Sequence, residues 1–126
     1  MAVLKSSIFF FVFISGCAYA TNSTQVSINS SLNNCISINK YEAVMDGGIP
    51  MLRLVFETRK SISECGCKSA LSLYSSYVKL DGYESSLISG KFMFPGNGAL
   101  EFPIATSNKL IGKNNVRINI SCALPD

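Results

Sequence analysis

The sequence predicts an all-β fold, a small antiparallel sandwich or barrel of six to seven strands with two disulfides. Three observations carry that reading. Several short runs alternate apolar and polar residues, the period-two spacing that lines up every second side chain on one sheet face. Clusters of Gly, Pro and Asn punctuate those runs. Four cysteines, Cys35, Cys65, Cys67 and Cys122, follow a segment that reads as an export signal, and an exported chain keeps its cysteines oxidised.

The export signal comes first in the chain. Residues 8–14 (IFFFVFI) form a purely apolar run behind Lys5. It is too short to span a bilayer, which needs about 20 such residues, and it suits the apolar core of a signal peptide. Two processing sites compete. Ala18-Tyr19-Ala20 places small residues where signal peptidase cleaves, whereas Ile14-Ser15-Gly16-Cys17 resembles a bacterial lipobox with Ile14 in place of Leu. Cys17 is therefore the lipidation candidate. Residues 1–20 are read as the signal. Residues 21–34, dominated by Ser, Thr and Asn, are read as a polar tether or as the lead-in to a first strand at residues 25–28. The location expected is the periplasm, in soluble form or anchored to the outer membrane by lipid.

Residues 35–126 form the expected disulfide-stapled β-domain, a length suited to one domain. Residues 35–39 alternate apolar and polar. The stronger strand at residues 51–56 (MLRLVF) is opened by the turn Asp46-Gly47-Gly48. Residues 69–80 alternate around Leu71, Leu73, Tyr77 and Lys79. Lys91-Phe92-Met93-Phe94 meets Pro95-Gly96-Asn97-Gly98, a hairpin signal that returns at residues 99–102. Residues 116–122 (VRINISC) alternate cleanly and close the domain.

Cys65 and Cys67 flank Gly66, so in an extended strand both side chains leave one face. One can reach Cys35 and the other Cys122. Which pairs with which stays open; a Cys65–Cys67 bond would close a tiny strained ring. A redox role for Cys65-Gly66-Cys67 would need a helix N-terminus or cation to stabilise a thiolate, and beyond the adjacent Lys68 nothing supports one. A four-thiolate metal site lacks the paired knuckle spacing. No metal and no cofactor is expected, and the four cysteines are read as structural.

The chain contains no histidine, which removes Ser-His-Asp and Cys-His pairs and histidine general-base chemistry. The acidic residues are scattered singly, so no catalytic residue is nominated and the chain is not expected to be an enzyme. Eleven Lys and Arg against eight Asp and Glu give a formal net charge of +3, without the clustering that nucleic acid demands. Membrane contact is expected only through the N-terminal lipid. Tyr74, Tyr77 and Tyr83 are the binding-surface candidates, because tyrosine offers apolar area with a polar tip. Exposed loops at residues 81–86 or 95–98 are the segments expected to enter a partner's cleft.

At Glu64-Cys65-Gly66-Cys67-Lys68-Ser69-Ala70 and at the closing Asn119-Ile120-Ser121-Cys122-Ala123-Leu124-Pro125-Asp126, the chain resembles an uncharacterised family of small exported proteins of Gram-negative bacteria. The resemblance covers residues 30–126 and implies an envelope location and a two-disulfide domain. It carries no activity and no functional residues. The expectation is a non-enzymatic envelope protein that binds another protein, such as a periplasmic immunity or inhibitor protein. The alternative is a structural or assembly lipoprotein of the envelope or of a secretion or surface apparatus.

Overall fold

The computed structural model describes residues 24–125; Cys17 and both candidate cleavage sites lie outside that range. Seven strands follow in order: β1 (Val26–Ser30), β2 (Ile36–Asp46), β3 (Ile49–Thr58), β4 (Ser72–Leu80), β5 (Tyr83–Phe92), β6 (Gly98–Pro103) and β7 (Val116–Cys122). They build two sheets, one ordered β1-β7-β4-β5 and the other β2-β3-β6. The fold is all-β with two disulfides, Cys35–Cys65 and Cys67–Cys122. No helix among the described residues is long and apolar enough to cross a membrane.

Period two sets the inner faces. Leu52, Leu54 and Phe56 of β3 are buried, as are Val116, Ile118 and Ile120 of β7. Between the sheets these residues meet Leu32, Ile104, Ile111 and Phe102. Each such side chain contributes about 1.5–3 kcal/mol when fully buried. The β2–β3 turn follows from its glycines. Gly47 and Gly48 have φ of 56° and 84°, the paired positive values that a two-residue hairpin turn of matching twist requires.

Five expectations are corrected. Part of the tether segment is structural, as the alternative of a first strand at residues 25–28 has it. Val26–Ser30 runs parallel to β7, pairing Val26 with Val116 and Ile28 with Ile118, so the four-stranded sheet is mixed. Leu32, just beyond, is 1% exposed, and its carbonyl accepts the Cys35 and Ile36 amides. The turn at residues 95–98 makes no hairpin. It carries the chain from β5 in one sheet to β6 in the other, where β6 pairs with β3. The physical reason is aromatic. Phe94 packs edge-on against Phe56 at 4.9 Å and against Phe92 at 4.8 Å, which draws the chain across the core.

β4 presents the other face from the one its leucines suggest. Ser72, Tyr74, Ser76 and Val78 are buried, while Leu73 and Tyr77 are half-exposed. Ser76 Oγ donates to the Ile104 carbonyl and accepts the Ile88 amide at 3.3 Å, so a serine links the two sheets from inside. β5 begins at Tyr83, well before the run at residues 91–94 that marked it in the sequence.

Finally, Cys65-Gly66-Cys67 is a turn and not a strand. Cys65 ends a 3-10 turn (Ile62–Cys65) and Gly66 follows with φ of 89°. That left-handed residue sends the two cysteines to different partners. Cys65 reaches Cys35 before β2, and Cys67 reaches Cys122 at the end of β7. One connector thereby ties the three-stranded sheet to the four-stranded one.

Candidate functional site

The three candidate tyrosines do not share a surface. Tyr74 is 5% exposed, stacked on Phe102 at 4.2 Å and edge-on to Phe92 at 6.0 Å; burial pushes its phenol pKa up. It is a core residue, and its binding role is withdrawn. Tyr77, three positions later, points the other way, as strand alternation dictates. Its ring lies beneath Arg117, whose guanidinium carbon is 4.6 Å from the ring centroid. Tyr83 pairs with Leu80 beside the Asp81-Gly82 turn, on the face opposite Tyr77, and is 63% exposed.

Arg117 organises the outer side of the four-stranded sheet. Its Nη2 and Nε reach Glu84 at 2.6 and 3.1 Å, and its Nη1 donates to Asn119 Oδ1. The hydrogen bond from Arg117 holds the Glu84 carboxyl below the usual carboxylate range and raises the Arg117 pKa. Around this cluster lie Ser27, Asn29, Ser75 and Ser89, with Ser89 Oγ donating to Ser75 Oγ at 3.0 Å. This face is mostly polar, with Arg117 and Glu84 paired on it and Leu73 and Tyr77 half-exposed beside them.

The outer side of the three-stranded sheet differs. Register places three cross-strand rows there: Lys40–Val55–Ala99, Glu42–Arg53–Glu101 and Val44–Met51–Pro103, with Ile49 beyond, opposite Asp46. Val55 is 39% exposed and Ile49 41%. Arg53 stands between two carboxylates, 3.9 Å from Glu42 and 3.4 Å from Glu101, with half of its side chain exposed. Val44, Ile49, Met51 and Val55 thus flank one ion-paired stripe, with Lys40 and Asp46 also on this face. Exposed apolar side chains gathered on one sheet face are a feature of contact surfaces.

The loops expected to enter a partner are short or tethered. Residues 81 and 82 are only a turn, and residues 83–86 belong to β5. In the 95–98 turn, Asn97 Oδ1 accepts the Thr58 amide at 2.8 Å and the Gly96 carbonyl accepts the Thr58 hydroxyl. A depression of about 450 Å³ beside the Cys35–Cys65 bond is lined by Ser31, Asn34, Arg59, Lys60, Glu64 and Cys65. Its floor is polar and open, and no buried titratable group points into it. Among the described residues, no group of three or more His, Cys, Asp or Glu could hold a metal ion.

Residues 10–125 match the family model described as "Uncharacterized protein conserved in bacteria (DUF2195)". The chain belongs to the DUF2195 family. No curated protein and no solved structure matches it. The chemistry of this DUF2195 domain therefore rests on its own two outer faces. Sequence reasoning missed Arg53 and Val55, although the signal was present. Alternation in MLRLVF puts Met51, Arg53 and Val55 on one face, and two of those three are apolar.

Proposed function

We propose that this DUF2195 domain is a non-enzymatic protein-binding module of the bacterial cell envelope, and that it meets its partner with the outer face of the β2-β3-β6 sheet. One observation carries the reading. Of the two outer sheet faces, one is dominated by a Ser/Asn/Arg/Glu network, and the other leaves Ile49, Met51 and Val55 beside the Glu42–Arg53–Glu101 stripe. A domain held by two disulfides presents such a face with little left to order on binding, which favours affinity. Such a face suits an immunity or inhibitor protein. The apolar run and the small residues near Cys17 support the envelope location.

Affinity capture from envelope extract tests the reading, using the wild-type domain, a V55D variant and a S75D variant on the opposite sheet. The expected result is a stoichiometric partner retained by wild type and S75D and lost by V55D. Equal retention by all three, or no partner at all, contradicts it.

A further inference from the structure

The four sheet edges are protected to very different degrees. An exposed edge offers unpaired backbone N–H and C=O groups to another strand, and stable monomers blunt it with shortness, bulges, proline or inward charge. β1 is five residues long and carries no charge. β6 is six residues long, ends in Pro103 and has its Glu101 committed to Arg53. β5 is broken by a register shift opposite Ser76/Tyr77, and its Glu84 is held by Arg117. β2 is different. Its one irregularity lies between Ile38 and Lys40, and residues 40–46 run on in unbroken register with β3. On the other side of β2 no strand is paired among the described residues.

This open stretch reads Lys-Tyr-Glu-Ala-Val-Met-Asp and is complementary to its own reverse. Placed antiparallel to a second copy with Ala43 on the two-fold axis, Lys40 stands opposite Asp46 of the other copy. Tyr41 stands opposite Met45, and Glu42 opposite Val44. Lys40 and Asp46 lie on the outer side of the sheet, and Tyr41, Ala43 and Met45 on the inner side. The inner residues show the same mismatch: although they share a face with buried Leu52 and Leu54, Tyr41 is 42% and Met45 56% exposed. In the monomer the second sheet does not cover them. Across a two-fold ladder each would cover the other, an aromatic-thioether contact on both sides of a small alanine.

We propose that the chain forms a two-fold homodimer by antiparallel pairing of β2 over residues 40–46, centred on Ala43, which joins two three-stranded sheets into one of six. The occupant is a second copy because, in that register, Lys40 meets Asp46 and Tyr41 meets Met45 twice over. The pairing uses the edge of the sheet and leaves the face around Arg53 and Val55 open. It therefore stands or falls separately from the partner-binding reading.

Sedimentation equilibrium of the oxidised, folded domain tests it, with K40D, D46K and the double variant K40D/D46K. Wild type is expected to dimerise. Each single reversal puts like charges opposite one another twice per dimer and is expected to weaken association roughly tenfold at low salt. The double variant restores the pairs and the affinity. Oxidation of A43C should give a cross-linked dimer, whereas Y41C should not. A monomer at all concentrations, single reversals without effect, a double variant that stays weak, or cross-linking through Y41C and not A43C would each overturn the proposal. V55S, which adds no charge beside Lys40, is expected to lose the partner yet dimerise like wild type, which separates the two results.

Discussion

Gly90 of β5 lies opposite Tyr74 of β4, and a Cβ added to Gly90 would stand 2.8 Å from Tyr74 Cε1. The ring covers the glycine because it is itself fixed by Phe92 and Phe102. G90A is therefore expected to destabilise the domain by about 1–3 kcal/mol, the usual cost of overpacking. In a Tyr74→Leu background the same change should cost less, since the shorter side chain frees the space. Urea denaturation of the four species gives the coupling; additive costs would contradict the contact.

The two buried serines of β4 predict opposite outcomes. Ser76 Oγ hydrogen-bonds the buried Ile104 carbonyl and the Ile88 amide, so S76A removes the hydroxyl partner of a buried carbonyl and should cost about 1–3 kcal/mol. Ser72 Oγ is buried without a hydrogen-bond partner among the described residues. Replacing it by alanine removes a polar group that gained nothing by folding. S72A should be neutral or stabilising by about 1 kcal/mol. Thermal unfolding of both variants checks the contrast.

The disulfides close loops of 30 and 55 residues that do not overlap in sequence. Loop-closure entropy assigns about 3.6 kcal/mol to Cys35–Cys65 and about 4.2 kcal/mol to Cys67–Cys122. The variant C67S/C122S is therefore expected to be the less stable of the two double replacements. Peptide mapping without reduction should find Cys65 linked to Cys35 and Cys67 to Cys122. A crossed pairing would overturn the placement of the connector between the sheets.

Glu84 supplies the pH dependence on the outer face of the four-stranded sheet. Its carboxyl pKa is lowered by the hydrogen bond from Arg117. With the folded value below the unfolded one, the stabilisation is fully present above the unfolded pKa and drains away as pH falls through the folded pKa. Carboxyl NMR should place Glu84 below the ordinary glutamate range, and R117M should return it there. Exposure and salt screening keep the effect on stability small.

Much of the fold was legible because period two is a local signal. The strands at residues 51–56 and 116–122 emerge from alternation, and the Gly47-Gly48 turn from the need for two positive φ values. Sheet membership was not legible. Whether a turn such as residues 95–98 pairs its flanks or carries them across the core depends on Phe94 finding Phe56 and Phe92, a contact between distant residues. β4 misled for the same reason. Its inward face carries Ser72 and Ser76, and only the Ile104 and Ile88 backbone groups explain a buried serine there. The site followed this pattern. Tyrosine content pointed to Tyr74, Tyr77 and Tyr83, yet packing placed one in the core, one beneath Arg117 and one at a hairpin end.

Photocrosslinking in living cells bears hardest on the proposed role. A photoreactive residue is placed at position 55, on the Arg53 face, and in a second strain at position 75, on the Ser/Asn face. A partner that binds the β2-β3-β6 sheet should give one discrete adduct, larger than a second copy of this chain, at position 55 and none at position 75. Adducts at position 75 alone, or no adduct at either position, would contradict a binding face on the three-stranded sheet.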